Sequence, residues 1–209
     1  MKKKSVSQAK SSSRPQIANS VARSSRQTRE KASRFAVLGM LSLGCKSGYD
    51  IKKTIAVSTS NFWSESYGNI YPVLKQLLAE GAIREEKEAM ATGGRKRLLY
   101  GVTASGRHML QEWLRQPVTP RVEDSEFLLK LFFGAQSSVK DMLGLVKAHR
   151  EHHEESLAKF AEIERYIVAQ EASEMEKMYW LATLRHGEAV SHALVEWSKG
   201  VEKELKRHR

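Results

Sequence analysis

The chain is predicted to be mainly α-helical with one small β-hairpin: an N-terminal winged helix-turn-helix, then a C-terminal domain of long helices. Three observations predict this. Residues 69–81 carry an apolar stripe at helical spacing, and residues 82–102 form two strand-length segments around a glycine-rich basic tip. Residues 139–206 then continue a helical pattern through two long runs.

Residues 1–34 hold ten Lys or Arg against one acid, Glu30, so +9 of the chain's net +11 lies there. With nine serines between Ser5 and Ser33 and few apolar residues, residues 1–32 read as a basic disordered tail. Two roles stand open for it: an arm that holds phosphates without sequence preference, or a solubilising extension. Its Arg/Ser-rich, acid-poor character also resembles an organelle transit peptide, against which the lysine opening and weak apolar periodicity speak.

Next comes a short apolar helix with Phe35, Leu38, Leu41 and Leu43, a break at GCKSG, and a second helix through YDIKKTIAV. Ser47 is its candidate cap, with Tyr49, Ile51 and Ile55 as apolar positions. Cys45 is the only cysteine, which excludes an internal disulfide and fits a reducing cytosol. It reads as a small packed residue rather than a reactive thiol sensor.

The third helix has Ile70, Val73, Leu74, Leu77 and Leu78 on one stripe. Pro72 is tolerated because a first-turn residue has no intrahelical partner for its N–H. Ser64 and Ser66 are candidate caps, and Gly81 is a stop. Its start carries small polar residues and two tyrosines, where helix-turn-helix proteins place groups that read bases or clamp phosphates. Tyr67, Asn69, Tyr71 and Lys75 are the candidate DNA contacts there. The hairpin follows, with strands at 82–88 and 96–102 and Gly93 and Gly94 at its tip. Arg95, Lys96 and Arg97 place three cations where a wing would meet a phosphate backbone or a minor groove. The bland alternative is a solvated hairpin whose charges keep its edge soluble.

These residues carry a family resemblance. The run GYDIKK, the serine-rich approach to NIYPVLKQLLAEGAI, and the wing GGRKRLLYGVTASGRHML are similar to the PadR family of bacterial transcriptional regulators. The family's Tyr-Pro pair opening the recognition helix corresponds to Tyr71 and Pro72, and its wing to Gly94, Arg95, Tyr100, Thr103 and Gly106. EFLLKLFFG near residue 130 and YWLATLRHGEAVSHALVEW near residue 190 resemble the helical C-terminal domain of the longer PadR members. The resemblance spans residues 33 to about 201 and implies a dimer formed through those helices. Only Tyr71 and the Gly94-Arg95 wing lie on family motif positions; the other contacts rest on helix geometry. Some PadR members respond to phenolic acids or planar drugs, which implies a small-molecule effector of unknown identity. Trp113, Phe132, Phe133 and Trp180 are the aromatic residues near the domain junction, and they read as core rather than as a ligand box.

PVTPRVEDS carries a linker, so the predicted boundaries are a winged helix over 33–116, a linker over 117–123 and a helical dimerisation domain over 124–209. A short helix over 124–133 presents Phe127, Leu128, Leu131 and Phe132. A long helix over 139–169 places Met142, Val146, His149, His153, Ser156, Phe160, Ile163 and Ile167 at alternating spacings of three and four, a coiled-coil seam with a polar middle. A last helix over 173–206 presents Tyr179, Trp180, Leu184, Leu194, Trp197, Val201 and Leu205. Two helices cannot cover all of this, so a second copy is the expected cover, and a two-fold dimer implies an inverted-repeat operator.

Other classes find little support. There is no P-loop, dinucleotide fingerprint or nucleophile elbow, and the carboxylates read as surface charge, so neither a catalytic residue nor a cofactor is assigned. His149 and His153 share a helix face, but no third ligand is dictated and no metal site is assigned. No apolar run approaches membrane-spanning length. The expectation is a cytoplasmic, homodimeric, sequence-specific regulator of double-stranded DNA, a repressor rather than an activator. The rival classes are a nonspecific nucleoid-type binder driven by the tail, and a protein-interaction module without DNA contact.

Overall fold

The computed structural model describes residues 14–90, 96–118 and 125–208. The elements in order are α1 (Arg14–Ser42), α2 (Gly48–Ser58), α3 (Tyr67–Ala79), β1 (Ile83–Met90), β2 (Lys96–Val102), α4 (Ala104–Leu114), α5 (Glu126–Phe132), a 3-10 turn (Gly134–Gln136), α6 (Val139–Val168) and α7 (Glu174–Arg207). They group into two compact units: residues up to 54 with 65–116, and residues 55–64 with 117–209.

The first unit combines α1, the start of α2, α3 and α4 with the hairpin, α1 packing on α3, α4 and β2. Its core holds Val37 and Leu38 of α1, Ile51 of α2, and Ile70, Leu74 and Leu77 of α3, all essentially without exposure. Each such side chain contributes about 1.5–3 kcal/mol relative to leaving it in water. The strands pair antiparallel from Ile83↔Val102 to Met90↔Lys96, with an irregularity between Glu86 and Ala89. One extra residue on β1 accounts for it, a bulge that bends the hairpin. Strand β1 runs two residues further into the expected tip than its spacing suggested.

Gly81, at φ +69°, ends α3 in the left-handed region. Just beyond it, Thr103 ties hairpin to helix. Its hydroxyl donates to the carbonyl oxygens of Gly81 and Ala82 and accepts from the N–H of Gly106. A Cβ at Gly106 would collide with the Ala82 carbonyl oxygen, so α4 starts against the strand only because that residue is glycine.

One expectation is corrected. Residues 14–32 were expected without order, yet α1 starts at Arg14. The packed residues 33–41 supply the costly helix nucleus, and no glycine interrupts residues 14–38, so extension of the helix is cheap. Residues 1–13 lie outside the described residues.

In the second unit α6 and α7 run side by side and antiparallel. Val146, Phe160 and Ile167 of α6 and Leu184, Ser191, Val195 and Ser198 of α7 are buried. The polar middle of the predicted seam is closed within the chain. His149 Nδ1 lies 3.3 Å from Ser198 Oγ, and His153 Nδ1 lies 3.3 Å from Ser191 Oγ. Phe127 of α5 stacks on His149 with ring centroids 3.9 Å apart. Arg150 bridges Glu202 and Glu154 beside this seam. Residues 55–64 belong here rather than with the winged helix as expected. Gly187 is part of the reason, since a Cβ there would press on the Phe160 ring and the Asn61 amide. Among the described residues no helix is long and apolar enough to cross a membrane.

Candidate nucleic-acid interface

Helix α3 is held by one face and offers the other. Ser66 caps it, its hydroxyl accepting from the N–H of Asn69. With Ile70, Leu74 and Leu77 buried, the exposed flank beside them presents Tyr67, Tyr71 and Lys75 at steps of four. Tyr67 is 44% and Tyr71 52% exposed, and their rings stack at 6.2 Å. Two large aromatic rings left in water on a helix this well packed are a feature that the fold itself does not require. Tyr71 also lies against the start of α2, where a Cβ at Gly48 would sit 3.0 Å from its ring. Lys75 is exposed and has no ion-pair partner among the described residues.

Asn69 behaves differently from the other three. Its amide nitrogen donates to Glu65 Oε2 at 3.0 Å, so it is committed to the fold. Glu65, only 2% exposed, also accepts from the Ser33 hydroxyl at 2.5 Å, while its backbone carbonyl accepts from Lys52 Nζ at 2.6 Å. Glu65 therefore links three helices, its carboxylate holding α1 and the start of α3 and its backbone carbonyl holding α2. The sequence reading missed it, because its partners are distant in the chain. The one available signal was an acid placed immediately before a capping serine.

On the wing, Lys96 and Arg97 lie in β2 opposite Met90 and Ala89. Arg95, with Gly93 and Gly94, lies outside the described residues. Tyr100 is buried, and its N–H donates to the Lys46 carbonyl, fastening the returning strand to the loop before α2. Burial, with Glu85 adding to it, pushes the Tyr100 phenol up. Cys45 is half-buried with its thiol 3.4 Å from the Thr54 hydroxyl, and burial pushes that thiol up, away from thiolate reactivity.

The second unit contains a cavity of about 650 Å³ lined by Asn61, Phe62, His152, His153, Phe160 and His186 among others. The aromatic residues singled out by sequence lie elsewhere. Trp113 stacks on Phe35 at 4.7 Å, Trp180 packs on the Phe160–Ile167–Leu184 cluster, and Phe132 and Phe133 are exposed. Among the described residues no group of three or more His, Cys, Asp or Glu is placed to hold a metal ion.

Comparison with known proteins decides the family. Residues 37–112 match the Transcriptional regulator PadR-like family, and residues 125–206 match the Virulence activator alpha C-term family. The negative transcriptional regulator PadR of Bacillus subtilis is 31% identical over 173 residues, covering 72% of this chain and 94% of its own. The chain belongs to the PadR family. Its fold is that of solved PadR regulators. A PadR-like regulator of Bacillus cereus is 30% identical with a TM-score of 0.67, over 85% of this chain and 99% of that one. Bacillus subtilis PadR in complex with operator DNA is 25% identical with a TM-score of 0.71, over 82% and 98%. The latter PadR has also been solved in complex with p-coumaric acid. In PadR terms the chain is a transcriptional regulator, with a winged helix followed by the helical C-terminal domain.

Proposed function

We propose that this PadR-family chain is a homodimeric repressor that binds an inverted-repeat operator through α3 and the wing. The observation carrying this reading is the exposed row Tyr67, Tyr71 and Lys75 on a helix whose other face is locked into the core. Arg95, Lys96 and Arg97 supply the wing contacts, and Asn69 acts by fixing the start of the helix as well as through its remaining carbonyl. The winged helix spans 33–116, apart from residues 55–64, which group with the second unit, and the dimerisation domain spans 124–209, joined by the linker at 117–123. Dimerisation is supported by apolar side chains that the second unit leaves in water. Leu128, Leu129, Phe132 and Phe133 of the α5 region and Met175, Met178 and Tyr179 of α7 are exposed. Two copies give two recognition helices at a fixed spacing. The cavity in the second unit supports a small-molecule effector that releases the operator, as the p-coumaric acid complex of Bacillus subtilis PadR suggests by analogy. The reading places the protein in the cytoplasm, where its DNA is.

Fluorescence anisotropy tests this, using the gene's own upstream DNA and a shuffled duplex at about 50 and 200 mM salt, with the mass in solution measured in parallel. A preference of about 10³-fold surviving the higher salt, from a species of dimer mass, is expected. Lys75→Ala with Arg95→Ala should remove that preference. Equal affinity for both duplexes, unchanged by the two substitutions, would refute specific recognition through this face.

A further inference from the structure

Helix α3 meets solvent across an arc about 200° wide, and the two edges of that arc carry different chemistry. Tyr67 and Tyr71 stand at one edge and Asn69 at the other, with Gly68, Pro72 and Lys75 between them. Asn69 is exposed, yet one end of its amide is already engaged, Nδ2 donating to Glu65 Oε2 at 3.0 Å. We infer that Asn69 is a specificity-determining residue whose outward carbonyl oxygen, Oδ1, selects a base with an exocyclic amino group, adenine or cytosine, in the major groove. The inference rests on the operator-binding reading above and adds to it which bases one side chain accepts.

An exposed asparagine is ordinarily free to choose. A half-turn of its amide exchanges a donor for an acceptor, so it can answer any of the four bases. Glu65 removes that choice. A carboxylate has acceptor oxygens and no hydrogen to give, so the amide end facing it must be the nitrogen. Glu65 itself is 2% exposed and held on two further sides. Its Oε1 accepts from the Ser33 hydroxyl at 2.5 Å, and its backbone carbonyl accepts from Lys52 Nζ at 2.6 Å. Turning the Asn69 amide round would set oxygen against oxygen and strip a buried carboxylate of a hydrogen bond, which is costly. The acceptor therefore stays outward.

The place of Asn69 on the helix suits base reading. It is the third residue of α3, and recognition helices touch base edges with the residues of their N-terminal end. Gly68 and Pro72 put no long side chain on the middle of the exposed arc. A Cβ at Gly68 would meet only the Ser66 hydroxyl, at 3.6 Å, so the space over the first turn is open. The backbone can thus come close to a groove floor, as a side chain as short as asparagine requires. The start of the helix does not depend on this amide, because the Asn69 N–H bonds to Ser66 through the backbone.

The chemistry of the groove turns a fixed acceptor into a choice of letter. On their major-groove edges adenine offers the N6 amino group and cytosine the N4 amino group, both donors. Guanine O6 and thymine O4 are acceptors and would face Oδ1 as like against like. On the strand it meets, Asn69 therefore favours adenine or cytosine over guanine or thymine. Lys75, a point charge, holds phosphates without regard to sequence. The other polar side chain on this side of α3, Gln76, is engaged with Glu80. A buried acid that never touches DNA thus sets what its neighbour reads, which makes Glu65 the positioning residue of the pair.

The test is selection from a pool of duplexes with a randomised core, sequenced after binding to the full-length chain and to two variants. One variant is Asn69→Ala. The other is the swapped pair Glu65→Gln with Asn69→Asp, in which the amide now lies at 65, donates to a carboxylate at 69 and again leaves an oxygen outward. Circular dichroism and urea unfolding confirm that both fold as the natural chain does. The natural chain should enrich a motif with one position where adenine or cytosine is favoured about tenfold over guanine or thymine. Asn69→Ala should even out that position and leave the others as they were, and the swapped pair should keep the choice. A position tied to Asn69 that holds guanine or thymine overturns the fixed acceptor, as does loss of the choice in the swapped pair. A motif untouched by Asn69→Ala, or weakened equally at every position, overturns the base contact while the operator reading stands. No enriched motif with the natural chain refutes the operator reading and this inference with it.

Discussion

The two units differ in how their cores are made. The first is closed by the aliphatic side chains of Leu38, Ile51, Ile70, Leu74 and Leu77, with Ser33, Ser47 and Glu65 as its buried polar residues. In the second, the seam between α6 and α7 alternates apolar positions with His149–Ser198 and His153–Ser191 pairs, and buried Ser191 and Ser198 stand where leucines could. The first unit also keeps most large apolar groups inside, apart from the α3 tyrosines and a few others, whereas the second exposes Phe132, Phe133 and Tyr179. A rigid platform suits a helix that must hold side chains against DNA. A polar seam with open aromatic flanks suits a region that associates and responds.

The largest effect should come from the dry core. Leu74→Ala removes a side chain that is 1% exposed at the centre of α3's buried face, at a cost of about 2–5 kcal/mol. That is a sizeable share of the stability of a small domain. Denaturant unfolding followed by circular dichroism should show an early loss belonging to the winged helix, with specific DNA binding lost, while the long helices melt where they did before. A single transition displaced as a whole would show that the two cores are not separable. A smaller effect should come from the polar seam. Ser198→Ala leaves the His149 ring nitrogen without its partner and should cost about 1–2 kcal/mol. Combining it with His149→Leu should recover much of that loss, because both polar groups are then gone. If the double variant is worse than the sum of the singles, the pair is not what holds the seam.

How far the sequence announced all this depends on the range of the interactions. Helix α3 was legible to within two or three residues because its stripe, its capping serine and its terminal glycine are all local signals. The long helices were legible for the same reason, and the Ser138 and Ser173 caps continue it. Glu65 was illegible, since its ties to Ser33 and Asn69 exist only after three helices assemble. The steric need for glycine at 106 was equally hidden, because the clashing carbonyl of Ala82 lies on another element. The helical character of residues 14–32 was missed because propensity alone says little about a polar segment. Its order derives from the packed turns that follow it. The histidine seam was seen as polar, but whether a second chain or α7 would cover it could not be read from spacing alone.

The smallest effect is also the sharpest test of the contrast, because it separates the units by pH. Burial holds the imidazoles of His149 and His153 below the ordinary histidine value of 6.5, and the neighbouring histidines add to this. Their surroundings contain His152, Arg150 with Glu154, and from α7 Glu202. The unfolded chain therefore binds protons at these two sites more readily than the folded one. Their cost to stability is absent above about pH 6.5 and grows as pH falls below it. The carboxylates bound in this unit, Glu176, Glu196 and Glu202, are all held below the usual 4.5, so their own acid losses set in at lower pH. Comparing urea midpoints at about pH 7.5 and 5.5 thus isolates the histidines. The long-helix transition should move down between those values, and the winged-helix transition should stay where it is. In the double variant His149→Phe with His153→Leu, stacking on Phe127 is retained and the acid-induced fall should vanish. An equal fall in that variant would mean that protons act somewhere other than the seam.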